Sequence, residues 1–317
     1  MIVVLGSPED AMIRRVSGEL ERRSARAVVV DPGHIPGTIR LDVRLPFMGG
    51  CFSWEDGRIL DFGDIGAIYS RFGISDFQGA EGITEDQQFQ VNLQCAGCLS
   101  PVLNELPALV INRPRANASN GSKPYQAGLI ARMGFRVPDT LVTNEPDVAR
   151  EFYELHRGQV IYKSISHIRS QVQLVLPEDL DRLDSLPNCP VQLQEFIPGT
   201  DVRVHVLGDH AVFPHRIQTA TKDYRFDRNV EIRAALLPSE VAEACCDLAR
   251  GLGLVMAGID LRFTPDGEVV CFEVNPSPAY NYYEAHTGQP ITSTLCDMLM
   301  AADGQKVPDS RSLPMAA

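Results

Sequence analysis

Near its carboxyl end the chain carries two alternating runs, Gly258-Ile259-Asp260-Leu261-Arg262-Phe263 and Glu268-Val269-Val270-Cys271-Phe272-Glu273-Val274-Asn275, joined by Thr264-Pro265-Asp266-Gly267. Alternation at a period of two marks β-strands, and Asp-Gly between two such runs marks a hairpin. A two-residue turn at Asp266-Gly267 sets Pro265 opposite Glu268 and Asp260 opposite Glu273. Arg262 and Asn275 then share the face of the two acids, while Ile259, Leu261, Phe272 and Val274 form the apolar face. Carboxylates that face each other across a ladder repel, and a cation between them removes that cost. Asp, Glu and Asn offer oxygen alone, which suits Mg²⁺ or Mn²⁺ and not zinc. Two alternatives stay open at this point. One is a solvated edge on which both acids point to water. The other is a three-residue loop with a bulge, which shifts the register and parts the pair.

Other residues complement this hairpin. Asp201-Val202-Arg203-Val204-His205-Val206 places valines on one face of a strand and Asp, Arg and His on the other, half of a polar cleft. Lys123 opens a helix, and Lys163 closes the apolar strand Val160-Ile161-Tyr162. A lysine at the end of a buried strand needs an anion or a wet exit. Two lysines, cleft arginines and an oxygen-donor hairpin describe a nucleoside triphosphate site with a divalent metal. The chain has no GxxxxGK[ST] phosphate loop and no kinase HRD/DFG set. His205, His210 and His215 lack metal-site spacing, and a structural role is the expectation for His205 and His215.

Several function classes are excluded. Lys+Arg is 29 against Asp+Glu 41, a net charge of −12, which argues against sequence-independent binding to nucleic acid or anionic membrane. No apolar run approaches the ~20 residues of a membrane helix, and Met1-Ile2-Val3-Val4-Leu5 reads as a strand, not a signal peptide. The eight cysteines are scattered, as in the reduced thiols of a cytoplasmic protein. Cys95-x-x-Cys98 has no second pair to complete a metal site, so packing is its expected role.

The 317 residues suggest two or three domains. Met1–Leu5, a helix capped by Ser7 with the stripe Met12, Ile13, Val16 and Leu20, and a strand Ala27–Asp31 form a β-α-β unit. Gly6-Ser7-Pro8 is no dinucleotide fingerprint. Ile65–Ser70 is a strand, Thr84-Glu85-Asp86-Gln87 a capping box for the next helix, and Ala108–Asn112 a closing strand. Residues 113–122 read as an irregular linker. Helices are expected over 123–133, 146–156, 241–252 and 291–300, with strands at 140–142, 160–163, 191–196, 201–207 and 211–214. The boundaries are 1–112, 113–193, 194–302 and a flexible tail 303–317.

These residues resemble the ATP-grasp superfamily, specifically its RimK-like ligases. The likeness is strongest at Lys123–Thr143, Val160–Lys163, Gln194–Leu207 and Gly258–Pro278. It implies an α/β and α+β architecture: an N-terminal α/β (pre-ATP-grasp) domain, then central and C-terminal α+β subdomains that grip ATP. It implies two Mg²⁺ ions, with Mn²⁺ as an alternative, on Asp260, Glu273 and Asn275. Lys123 and Lys163 would hold the ATP phosphates. Gln194-Glu195-Phe196-Ile197 would be the hinge that reads adenine, with Glu195 supplying a carbonyl and Ile197 an N–H. Asp201 would meet the ribose, and Arg203 a phosphate or acyl phosphate. Arg216 and Arg225 would meet the carboxylate substrate. The stretch 164–170 lacks the glycines of many relatives' phosphate lid, so serine hydroxyls and Arg169 would replace them. Lys123–Thr143, Asp223-Tyr224-Arg225 and Asp31-Pro32-Gly33-His34 also resemble microviridin-type maturases of ribosomally made peptides.

The implied reaction is ATP-dependent ligation. A carboxylate attacks the γ-phosphate, giving an acyl phosphate and ADP, and an amine or hydroxyl then displaces phosphate. The carboxylate belongs to an amino acid, a protein tail or a peptide. The resemblance allows a homodimer through the first domain. The competing readings are a small-molecule kinase and a non-catalytic nucleotide-binding module.

Overall fold

The computed structural model describes residues 1–44, 49–79, 81–163, 172–218 and 231–304. It comprises two compact units, residues 1–115 with 290 onward, and residues 116–289.

The first unit is built on a parallel sheet, β2-β1-β6-β7. β1 (Ile2–Gly6) is an apolar run with Ile2, Val3, Val4 and Leu5 all buried, as a strand covered on both faces requires. β2 (Ala27–Val30) and β6 (Ala67–Arg71) flank it, and β7 (Leu109–Ile111) lies outside β6. α1 (Ala11–Arg22) buries Met12, Ile13, Val16 and Leu20, the stripe read from the sequence. Its cap is Asp10 rather than Ser7. The Asp10 carboxylate accepts from the N–H groups of Met12 at 2.6 Å and Ile13 at 3.1 Å, whereas the Ser7 hydroxyl is taken by the Glu9 N–H at 3.2 Å. β3 (Ile39–Arg44), β4 (Gly49–Trp54) and β5 (Ile59–Asp61) form an antiparallel sheet that the sequence reading did not contain. The Thr84 capping box opens α2 (Glu85–Glu105) as expected. Arg113, read as the start of a linker, caps the other end of α2 by donating to the carbonyls of Leu103, Asn104, Leu106 and Ala108. The rest of that stretch is helical as well, α3 (Pro114–Asn117) followed by a 3₁₀ turn at Ala118–Gly121, with Pro114 at a first helical position that needs no N–H.

In the second unit α4 (Lys123–Arg132) leads into a sheet ordered β10-β9-β11-β8. Its strands are β8 (Thr140–Thr143), β9 (Val160–Lys163), β10 (Gln173–Leu174) and β11 (Val191–Glu195). α5 (Pro146–Leu155) and a 3₁₀ helix at Pro177–Asn188 cover it, joining Ala149, Phe152, Leu183 and Leu186 to Val160 and Leu193. The other sheet is antiparallel throughout, in the order β14-β13-β12-β15-β16. Its strands are β12 (Thr200–Leu207), β13 (Ala211–Gln218), β14 (Glu231–Ala234), β15 (Met256–Phe263) and β16 (Val269–Asn275). α6 (Ser239–Gly251) packs on one face, where Val202, Val204, Val206, Ile259, Leu261, Cys271 and Val274 meet Cys245 and Leu248. α7 (Asn281–Thr287) packs near β14, with Tyr283 against Ile217 and Ile232. α8 (Ile291–Gly304) belongs to the first unit, where it lies beside α1 and Arg15 Nε donates to Thr292 Oγ1 at 3.1 Å. The helix continues through Asp303 and Gly304.

The 256–275 hairpin resolves the alternatives left open by its sequence. Its loop has three residues, Pro265, Asp266 and Gly267, closed by Thr264 N–H to the Glu268 carbonyl at 3.0 Å. Gly267 takes φ +92°, a conformation that costs glycine little. The longer loop sets Leu261 opposite Cys271 and Phe263 opposite Val269. A bulge then moves the register by one residue, so Asp260 does face Glu273 and Gly258 faces Asn275. The bulge also changes the apolar face. Cys271, fully buried, joins the core there. Phe272 instead turns beneath the Arg262 guanidinium, 4.9 Å from its ring centre.

All eight cysteines are free. Burial pushes the Cys245 thiol up to about 12 and that of Cys271 well above its ordinary value, so both behave as inert apolar groups. Among the described residues no helix is long and apolar enough to cross a membrane.

Candidate functional site

A cleft of about 620 Å³ lies within the second unit. Five of the residues singled out from the sequence line it: Lys123, Lys163, Gln194, Glu195 and Glu273. Lys123 is there because Ser122 and Pro124 begin α4 at that point. Lys163 ends β9, and its Nζ donates to Gln194 Oε1 at 3.0 Å, while Gln194 Nε2 donates to Thr140 Oγ1 at 3.1 Å. The two lysines and Arg136 bring positive charge to the cleft lining, and Glu273 brings a carboxylate to the same space. Gln192, 2% exposed, leaves its Oε1 with no hydrogen-bond partner among the described residues. A buried acceptor of this kind at a cleft wall is suited to a ligand donor.

The hinge stretch is held by its backbone and by charge. Glu195 N–H donates to the Asp139 carbonyl at 2.9 Å and Phe196 N–H to the Gln159 carbonyl at 2.8 Å. The Glu195 carboxylate is 3.2 Å from Arg136 and 3.8 Å from the His156 ring, whose other nitrogen is 3.0 Å from Asp139. Ile197 is buried, and its carbonyl accepts from Arg262 at 2.8 Å.

Strand pairing sets the rest. Asp201 lies opposite Arg262, and the two form a bidentate pair at 2.7 and 2.9 Å. Arg203 lies opposite Asp260 and donates to its Oδ1 at 2.6 Å. Arg203 is 6% exposed, and its guanidinium passes over Gly258. A Cβ on Gly258 would stand 2.5 Å from Nη2 of Arg203, so only glycine leaves it room. The alternation that turns Arg203 and His215 toward Asp260 turns Arg216 the other way. Arg216 pairs with Val202, on the α6 side of the sheet, and is exposed, so it is not brought to Asp260. Arg169, Arg225 and the stretch 164–170 lie outside the described residues.

Asp260 and Glu273 face each other, and Asn275 Oδ1 accepts from the Ser277 N–H at 2.8 Å. Among the described residues no three or more His, Cys, Asp and Glu side chains form a closed metal cage. Two carboxylates and an amide oxygen suit Mg²⁺, which takes one or two carboxylates and completes its shell with phosphate oxygens and water. The donor set therefore fits a metal that arrives with a polyphosphate.

Behind Arg203 lies a buried aromatic layer. His205 and His215 are fully buried, with ring centres 5.0 Å apart, and Tyr283 is 5.0 Å from both. Burial, and then the Arg203 charge, hold His205 well below its ordinary pKa and His215 at about 4. Both are neutral structural groups. The sequence reading gave no role to Gln126, Arg136, His156 or Gln192, and gave Arg262 and Phe272 only a face of the hairpin, the apolar one for Phe272. Gln126 could have been found, because it follows Lys123 by three residues on one helix face. The others depend on strand partners far away in sequence.

The profile of the RimK-like ATP-grasp domain matches residues 120–299. The protein named probable alpha-L-glutamate ligase of Pseudoalteromonas translucida is 25% identical over 200 residues, 60% of this chain and 66% of that one. A namesake of Hahella chejuensis is 26% identical over 195 residues, 58% of this chain and 64% of the relative. The chain thus spans just under two thirds of the length of these curated relatives. The ATP-grasp ligase PsnB, solved with a variant of its minimal precursor, Mg and ADP, superposes with a TM-score of 0.81 at 29% identity, covering 95% of this chain and 98% of that one. The macrocyclase MdnC of Microcystis aeruginosa, bound to the precursor peptide MdnA, shares the fold at a TM-score of 0.79 and 21% identity, over 94% and 99% of the two chains. With the mixed α/β and α+β architecture expected and a family profile covering more than half its length, the chain belongs to the RimK-like ATP-grasp family.

Proposed function

We propose that the protein is an ADP-forming ligase that uses ATP and Mg²⁺ to activate a carboxylate and join it to an amine or hydroxyl. The observation that carries this reading is the pairing of Asp260 with Glu273 on the sheet that brings Glu273 into a cleft with Lys123 and Lys163. Family membership agrees with it, as does PsnB, a relative solved with precursor, Mg and ADP. That relative favours a peptide as the source of the carboxylate.

Attack of a carboxylate on a triphosphate brings two anions together, so charge must be neutralised before they meet. Lys123 and Lys163 supply fixed positive charge at the phosphates. Asp260, Glu273 and Asn275 would hold Mg²⁺, two ions by inference and with Mn²⁺ expected to substitute, and the metal would supply charge neutralisation on the phosphate oxygens. Arg203 orients Asp260 and keeps it from Glu273. The backbone of Gln194, Glu195, Phe196 and Ile197 would read adenine, with a carbonyl from Glu195 and an N–H from Ile197. Asp201 is left to the ribose only if it shares its carboxylate with Arg262. Arg169 and Arg225 are assigned to phosphate and to the carboxylate substrate, and Arg216 receives no role in this arrangement. No protein nucleophile is needed, because the acyl phosphate carries the activation and in-line placement supplies much of the rate. The three-part division at 112 and 193, a homodimer through the first domain, and cytoplasmic residence accompany this reading.

Incubation with ATP, Mg²⁺ and a pool of amino acids and acidic peptides tests it. Expected are equal amounts of ADP and free phosphate, and a substrate that has lost one water or gained one residue. Phosphate retained on the product would instead establish a kinase, and nucleotide binding without turnover of any substrate a non-catalytic module.

A further inference from the structure

β16 is the outer strand of its sheet, with β15 on one side only. Val274 lies between Glu273 and Asn275, and its two backbone groups point away from β15, toward α4. An outward N–H and carbonyl at a covered edge need partners. Both find one in a single side chain. Gln126, 3% exposed, donates from Nε2 to the Val274 carbonyl at 2.8 Å and accepts the Val274 N–H at its Oε1 at 3.0 Å. The amide thus takes the place of a neighbouring strand for one residue. Gln126 is also one helical turn beyond Lys123, so the same helix face carries the lysine and the clamp. Further along β16 the Cys271 N–H donates to the Arg136 carbonyl at 2.9 Å, a backbone-only attachment.

We infer that Gln126 is a positioning residue. Through Val274 it fixes the distance between Lys123 and the Glu273–Asn275 pair, and so sets the metal-dependent part of nucleotide affinity. The inference rests on the nucleotide and metal reading of the cleft. Glutamine alone among residues of this size presents a donor and an acceptor side by side. Ionised glutamate can only accept, and methionine fills the space with neither function.

The test measures ADP affinity with and without Mg²⁺ for wild type, Gln126→Met and Gln126→Glu, alongside hydrogen exchange over residues 271–276 in the nucleotide-free protein. In wild type the Val274 amide is expected to be protected and ADP to bind more tightly with Mg²⁺. Gln126→Met should speed exchange at Val274 roughly tenfold and remove roughly tenfold of the Mg²⁺-dependent tightening, with metal-free ADP affinity changed less than twofold. Gln126→Glu should fall at least as far, because it sets a charge against the Val274 carbonyl. A clamp that merely stabilised the fold would lower the melting temperature and leave the Mg²⁺ effect whole, and that result overturns the inference. Rapid exchange at Val274 in wild type overturns it without any variant, even where both variants fail to fold. Wild type that binds no nucleotide sinks the reading of the cleft and this inference with it. Wild type and variants that bind Mg²⁺-ADP equally sink this inference alone.

Discussion

Replacing Glu273 by glutamine should abolish Mg²⁺-dependent ATP turnover while leaving the fold at least as stable. The two halves of this result have one cause. Asp260 and Glu273 stand opposite each other, and Arg203 pairs with Asp260 at 2.6 Å. The trio carries one net negative charge, which attracts a dication. Glutamine keeps the size of the side chain and one oxygen, but it brings that local charge to zero. One oxygen of Asp260 is already shared with Arg203, so an ion has less left to bind. Loss of a metal that neutralises transferring phosphate costs several kcal/mol of transition-state stabilisation, or about 10²- to 10³-fold or more in rate. In the absence of metal the substitution removes a like-charge pair across the ladder, worth a few tenths of a kcal/mol, about 0.2–1, in favour of the folded state. Turnover measured with phosphate release and stability measured by urea unfolding check both halves. Full activity in Glu273→Gln would refute the metal assignment, and a large loss of stability would mean that Glu273 holds the hairpin together.

Acid should destabilise this protein well above the pH at which its carboxylates protonate. In the unfolded chain His205 and His215 titrate near pH 6.5. In the folded protein both are fully buried and neutral, with no hydrogen-bond partner for their ring nitrogens among the described residues. Below pH 6.5 the unfolded chain takes up protons that the folded one refuses, until about pH 4 for His215, and burial holds His205 well below its ordinary value in the same way. Their neutral state therefore costs nothing above pH 6.5, and stability drains away as pH falls from there toward 4. The slope approaches about 1.4 kcal/mol per pH unit for each histidine. Between pH 6.5 and 5 His215 alone removes about 1.5–2 kcal/mol and His205 adds to it, a sizeable share of the roughly 5–15 kcal/mol of a typical domain. Urea unfolding of wild type at pH 7, 6 and 5 should show this decline. The double variant His205→Phe, His215→Phe should show a much flatter profile, since phenylalanine suits the ring layer formed with Tyr280 and Tyr283. A variant that loses stability with acid as steeply as wild type would place the titrating groups elsewhere.

Much of the site can be read from the sequence because its elements are local. Alternation in the 258–275 hairpin, helical spacing after Lys123 and the apolar strand before Lys163 each depend on residues a few positions apart. The facing of Asp260 and Glu273 was legible for a reason that was only half right. The loop is longer by one residue than Asp-Gly suggested, and a bulge at Phe272 restores the pairing. That bulge answers to distant contacts, Arg262 over the Phe272 ring and the Arg136 carbonyl on the Cys271 N–H. No local pattern announces them. The same holds for the bidentate Asp201–Arg262 pair and for the Gln126 clamp, which joins residues 148 apart in sequence. The β3–β4–β5 sheet escaped notice because β5 has only three residues and two glycines, Gly49 and Gly50, open the middle strand. Arg216, which the resemblance assigns to the carboxylate substrate, shows how face is set by strand parity rather than by motif. One residue along a strand exchanges the two faces, and parity with Val202 takes Arg216 from the side of Asp260 to the side of α6.

The most direct test is a crystal structure of the protein with ADP and Mg²⁺. The phosphates should lie between Lys123 and Lys163, the adenine against residues 194–197, and the metal within about 2.0–2.1 Å of oxygens from Glu273, Asp260 or Asn275. Nucleotide bound elsewhere, or a metal held by other side chains with Asp260 still engaged only by Arg203, would contradict the account.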